Sequence, residues 1–169
     1  MCAMGAWLAG TIFVSVVATE NFYTIDRLLA ASPSSTFHSL TGQLGQTESR
    51  DLLRYLSSEL NRLYFQAWNV AQLGVGLLVL WLLARQRVPA KARWTVGAML
   101  AVVVMLAVLT PAITALGRSL DFVPRDPAPA GMGRFWILHG AYTVLEGVLL
   151  AAGVAATMWI ARSGMSGKV

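Results

Sequence analysis

The chain has 169 residues, 56% of them hydrophobic and only 12% charged, which is far more apolar than a soluble domain of this length. Lys and Arg number 13 against 8 Asp and Glu, but this net +5 is placed in short connections, so it argues for a membrane topology signal and against nucleic acid as a partner. One cysteine, Cys2, and two histidines without zinc-type spacing exclude an internal disulfide framework and a structural zinc, and no metal site is expected.

Taken in chain order, the uncharged stretch from Met1 to Thr19 is the first predicted span. At about 1.5 Å per residue it just crosses a hydrocarbon core of about 30 Å. Val16, Val17 and Ala18 loosely resemble a signal-peptide cleavage site, but no basic residue precedes them, so a retained helix is expected. From Glu20 to Arg62 the ends of the connection read as helices continuing beyond the membrane. Phe22, Ile25, Leu28 and Leu29 recur at helical spacing until Ser32-Pro33, and Leu52, Leu53, Leu56, Leu60 and Leu63 do so after Thr47 and Glu48. These two leucine-rich stripes are expected to cover each other as an antiparallel pair over 21–31 and 47–62, with the intervening SPSSTFHSLTGQLGQ as a turn. Further uncharged stretches give spans two, three and four over 63–84, 94–117 and 135–161, the last interrupted only by Glu146. Pro111 is expected to kink span three, and DFVPRDPAPAGMG to cross the surface as an extended loop. The fold class is therefore all-α: one transmembrane four-helix bundle over 1–169, with helical extensions between the first two spans.

Orientation follows from the loops, because Lys and Arg are retained on the cytoplasmic side. The connection between spans two and three carries Arg85, Arg87, Lys91 and Arg93 with no acid, and the C-terminal tail carries Arg162 and Lys168 with none. In the other two connections bases and acids balance, four with five and three with two. Both termini are thus expected in the cytoplasm of a multi-pass cell-membrane protein. Helix contacts are expected at small residues spaced by four, namely Gly147, Ala151 and Ala155, Ala6 with Gly10, and Gly97 with Ala101. Met99 and Met105 read as core filling, and Trp94 and Trp136 as interfacial anchors.

The polar residues inside the spans are the candidate site. Glu146 lies twelve residues from Arg134 and sixteen from Arg162, near the midplane, where an ionised carboxylate is costly unless paired or facing a cavity. With His139, Tyr142 and Thr143 it forms one predicted polar stripe. Gln66, Asn69 and Gln72 of span two, Thr110 and Thr114 of span three, and Ser15, Thr19 and Glu20 of span one lie towards the same end of the bundle. A polar network or pocket open to the outside is the inference, with Glu146 facing inward within reach of Gln72 or Asn69. Asn69 and Gln72 read equally as interhelical hydrogen-bond glue. No Walker, dinucleotide-binding, HExxH or GxSxG pattern occurs, so no catalytic residue and no enzyme is predicted. No cofactor is assigned, although a single-histidine ligand to haem or chlorophyll at His139 stays open.

The blocks AWLAGTIFVSVVATENFY, SELNRLYFQAWN, LTPAITALGR and RFWILHGAYTVLE resemble the transmembrane protein 205-like family of small four-helix membrane proteins and, more loosely, copper-resistance D-type membrane domains. That resemblance implies a four-helix membrane fold whose biochemical role is not established, with links in some members to metal or drug tolerance. It marks Asn61, Arg62, Asn69, Pro111, Arg118, His139 and Glu146 as positions to watch. Two functions compete: a non-catalytic accessory or scaffold subunit held among other membrane subunits and lipid, and a small transporter or ligand-, metal- or pigment-binding protein using Glu146 and His139.

Overall fold

In a computed structural model, which describes residues 1–166 with side chains as far as Ser163, the chain forms five α-helices and no strand among the described residues. They are α1 (Cys2–Ala31), α2 (Ser35–Leu44), α3 (Gln46–Ala84), α4 (Ala90–Ser119) and α5 (Met132–Ser166). Lys168, counted in the basic tail, lies outside the described residues. Four helices, α1, α3, α4 and α5, are long and apolar enough to cross a membrane. The all-α bundle expected from hydropathy is therefore present, and α1 and α3 each run on without interruption beyond their apolar stretches as the helical extensions.

The connection between those extensions is a helix where a turn was expected. The Ser34 hydroxyl accepts from the Phe37 amide at 3.1 Å and so caps α2, and Gly45, at φ 92°, ends α2 and starts α3 in one residue. Ser32, at φ 42°, turns the chain out of α1 immediately before Pro33. α4 runs through Pro111 as one helix.

Around the bundle α1 packs on α3, α3 on α4, and α4 on α5, while α1 and α5 meet over a much smaller contact. The ring thus has one thin seam. Its core is made by Met4 and Trp7 of α1, Val79 of α3, Met99, Val103 and Leu106 of α4, and Leu149 and Ala156 of α5. Large apolar side chains such as Phe13, Val70, Val108 and Ile137 point outward, as they must where the surrounding solvent is hydrocarbon.

Three packing expectations are corrected. Of the small residues, Gly147, Ala151, Ala6 and Ala101 are exposed, and Gly97 meets nothing; the close approaches fall at Gly10 against the Trp68 ring, Gly76 against Trp7 and Leu100, and Gly153 against Leu8 and Met99. Four-residue spacing recurs on every face of an alanine-rich helix, whereas a contact needs a large side chain opposite. Met105 is 52% exposed and faces outward, leaving Met99 alone as core filling. Finally, Leu52, Leu56 and Leu63 do not face α1. The α3 extension turns Ser57 and Asn61 to α1 instead: Asn61 Nδ2 donates to the Ala18 carbonyl at 2.8 Å and Asn21 Nδ2 to Asn61 Oδ1 at 2.7 Å, while the Ser57 hydroxyl donates to the Asn21 carbonyl at 3.4 Å. Hydrogen bonds of Ser57 and Asn61 thus join this pair, with Ile25 buried and Leu53 and Leu60 half-buried.

A Cβ on Gly76 would meet Leu100 Cδ2 at 2.5 Å and the Trp7 ring at 2.7 Å. Gly76→Val is accordingly expected to destabilise the bundle by about 1–3 kcal/mol, the usual cost of overpacking. Gly147→Val, with open space around it, should cost far less. Thermal unfolding of both variants in one detergent measures the difference.

Candidate functional site

The residues singled out in the sequence divide between two places. The first is a polar belt inside the bundle. Asn69 on α3 joins three helices: its Nδ2 donates to Thr110 Oγ1 of α4 at 2.8 Å, and its Oδ1 accepts from the Tyr142 hydroxyl of α5 at 3.2 Å. Thr110 in turn donates to the Leu106 carbonyl of its own helix. One turn further along α3, Gln72 is fully buried and its Oε1 accepts from Trp7 Nε1 of α1 at 3.0 Å. Thr11 adds a longer contact to the same oxygen at 3.4 Å, and donates to the Trp7 carbonyl at 3.1 Å. Asn69 and Gln72 thus act as interhelical ties.

Glu146 departs from its expected partners. It sits at the α1–α5 seam, where its Oε2 meets the Ser15 hydroxyl at 3.4 Å, while Oε1 is buried without a hydrogen bond. Neither Asn69 nor Gln72 reaches it. Helical rotation explains the change: Tyr142 takes the inward position on α5, and Glu146, four residues on, is turned about 40° towards α1. The predicted stripe is therefore split. Tyr142 joins the belt, Thr143 is exposed and its hydroxyl donates to the His139 carbonyl, and His139 itself is exposed at the bundle end. Gln66 also departs from the belt, lying exposed on the outward face of α3.

The second place is a cleft of about 1420 Å³ at the end of the bundle that carries α2. It is bounded by the extensions of α1 and α3, the end of α4, the following loop and the first turns of α5. Thr110 and Tyr142 line its deep end, and His139 lines its α5 wall. The His139 ring stacks on Phe135, with centroids 5.7 Å apart and planes 13° from parallel, and meets the edge of Trp136 at 6.1 Å. This aromatic packing holds the imidazole in the wall, whereas Glu146, seven residues on, lies away in the seam.

Beside the cleft an ion network ties α3 to α4. Arg62 is a fork between the two oxygens of Asp121, at 2.9 and 3.1 Å, and Glu59. Glu59 also accepts two bonds from Arg118, at 2.9 and 2.8 Å. Arg118, followed by Arg62, holds the Glu59 carboxyl down at about 2, below its usual 4.5, and the same bonds raise both guanidinium groups. Arg62 and Arg118 were marked in the sequence; their partners Glu59 and Asp121 were not, and neither were Trp7 and Thr11. Asp121 lies 59 residues from Arg62, so only tertiary proximity reveals it. Thr11 carried a local signal, since Thr11, Ser15 and Thr19 repeat at four-residue spacing along one face of α1.

Among the described residues no group of three or more His, Cys, Asp or Glu side chains is placed to hold a metal ion. Searches against family models, curated proteins and solved structures find no match to this chain.

Because the folded-state pKa of Glu59 is depressed, its contribution to stability is complete above about 4.5 and is lost as pH falls through about 2. Thermal unfolding followed across that window should show a loss in the native chain that is smaller in Glu59→Gln. Equal slopes would mean that the network does not contribute.

Proposed function

We propose that the chain is a non-catalytic, multi-pass membrane protein acting as an accessory or scaffold subunit of a larger membrane assembly, with both termini in the cytoplasm. The observation that carries this reading is an outward apolar stripe on α3. Leu52, Leu56, Leu63, Val70 and Leu77, each more than half exposed, continue to Trp81 on one helical face. The stripe runs from residue 52 to residue 81, about 44 Å, against a hydrocarbon core of about 30 Å. Lipid covers only part of it. Leu52 stands ten residues, about 15 Å, beyond Arg62, and a protein partner is the remaining way to shield it. Within the stripe, Gln66 presents an amide beside Ala67, Ala71 and Gly74, the residue types that bring a neighbouring helix close and bond to it. The belt supports the non-catalytic part, since Asn69, Thr110 and Tyr142 spend their polar groups on one another and Gln72 Oε1 is taken up by Trp7. The resemblance to the transmembrane protein 205-like family supports a four-helix protein of this kind.

A second reading, a ligand-binding membrane protein, is favoured by the cleft and its aromatic wall around His139. Glu146 belongs to the seam, so under this reading the two residues act separately.

Leu52→Glu with Leu56→Glu should leave the isolated bundle folded, both side chains being exposed, and reduce the assembly to a monomer in detergent by light scattering. An unchanged mass would rule out this face as the contact. The orientation is tested by fusions: a reporter active only in the cytoplasm should work at residue 169 and within 85–93, and one active only outside should work within 32–46. An externally active reporter at residue 169 would invert the topology.

A further inference from the structure

The cleft differs from the belt in having both an apolar wall and an unneutralised rim. Its inner wall is made by Phe65, Ile113, Phe135 and Trp136, with Thr110 and Tyr142 at the bottom. Seven charged side chains line it: four arginines, at 50, 54, 62 and 125, and three aspartates, at 26, 51 and 121. Arg62 is committed to Asp121 and Glu59, and Arg50 to Asp26 at 2.8 Å. Arg54 and Arg125 meet no carboxylate among the described residues: Arg54 lies over the Phe22 ring at 5.8 Å, and Arg125 has only the Met132 sulfur at 3.5 Å. Two guanidinium groups thus stand free above an aromatic slot, with Asp51 as the one lining carboxylate outside an ion pair.

The length of the cleft restricts its occupant. Thr110 lies eight residues below Arg118, and Arg54 eight residues above Arg62. Since Arg62 and Arg118 are joined at one level through Glu59, floor and rim are about 24 Å apart. One leaflet's acyl chains span about 15 Å, half of a hydrocarbon core of about 30 Å, and a head group adds about 5–8 Å on each side. An acyl chain against the aromatic wall therefore brings a head group to the free arginines. The thin α1–α5 contact leaves the chain a lateral way in from the bilayer.

We propose that this cleft binds a diacyl phospholipid of the adjacent leaflet, one acyl chain packed against Phe65, Ile113 and Phe135 and the phosphate held at Arg54 and Arg125. The proposal rests on the ligand-binding reading and names its ligand class. Two unpaired guanidinium groups match a phosphate in charge and in hydrogen-bond geometry, while Asp51 leaves room for an ammonium head group beside it.

The test uses the full chain in mild detergent, with phosphatidylglycerol, phosphatidylethanolamine and a diacylglycerol of the same acyl chains as probes, and native mass spectrometry as the readout. Both phospholipids should be retained, and the diacylglycerol about tenfold more weakly. Arg54→Gln with Arg125→Gln should lower phospholipid retention about tenfold and leave diacylglycerol unchanged. Ile113→Trp, which fills the slot, should lower retention of all three at an unchanged unfolding temperature. Equal retention of diacylglycerol, still sensitive to Ile113→Trp, would overturn the phosphate site and leave ligand binding standing. Retention that ignores both sets of variants marks lipid at the outer surface only, and overturns the proposal and the ligand-binding reading together.

Discussion

In hydrocarbon, apolar side chains gain little by leaving lipid for one another, so a bundle of this composition depends on the few groups that lipid cannot satisfy. Here those groups are the amides of Asn69 and Gln72. Both lie on α3, the helix that touches α1 and α4, and each reaches a different side of the ring: Gln72 to Trp7 of α1, and Asn69 to Thr110 of α4 and Tyr142 of α5. Such bonds are worth about 1–2 kcal/mol at most, but they act where they also fix rotation. Once Asn69 and Gln72 point inward, Leu63, Val70 and Leu77 must point out. The outward stripe is the geometric consequence of the belt.

The same rotation governs the end of the bundle. With Ser57 and Asn61 turned to α1, the α3 extension holds α1 by hydrogen bonds through Asn21 and the Ala18 carbonyl. Arg62 and Glu59 are then directed at Asp121 and Arg118 on the α4 side. α3 is thus braced on both flanks, whereas α1 and α5 are braced only through α3 and α4. The cleft lies at this end of the bundle, with Asn61, Arg62 and Asp121 of these braces in its lining. Its lining joins two stretches distant in sequence, Arg54 with Phe65 on α3 and Arg125 with Phe135 on the loop and α5.

Glu146 illustrates how much a small rotation decides. A carboxyl two turns from His139 on one helix suggests a shared site, and the bundle instead gives His139 an aromatic wall and Glu146 a hydroxyl contact in the seam. Its orphaned Oε1 leaves the seam incompletely satisfied, as Trp68 Nε1 and Gln72 Nε2 do on α3.

Hydropathy and charge determined the four apolar helices, the helical extensions and the level at which Glu146, Asn69 and Gln72 would lie, because these depend on what each residue's surroundings must be along one axis. Rotation about that axis was not legible. The Leu52, Leu56 and Leu63 periodicity located an apolar face but not its neighbour, and glycines and alanines spaced by four appeared on exposed and buried faces alike. A residue's azimuth is set by partners on other helices, such as Trp7 for Gln72 or Asp121 for Arg62, which lie 65 and 59 residues away. Lipid accepts any apolar face, so only the few interhelical hydrogen bonds and ion pairs select one rotation for each helix, and those exist only in the assembled bundle.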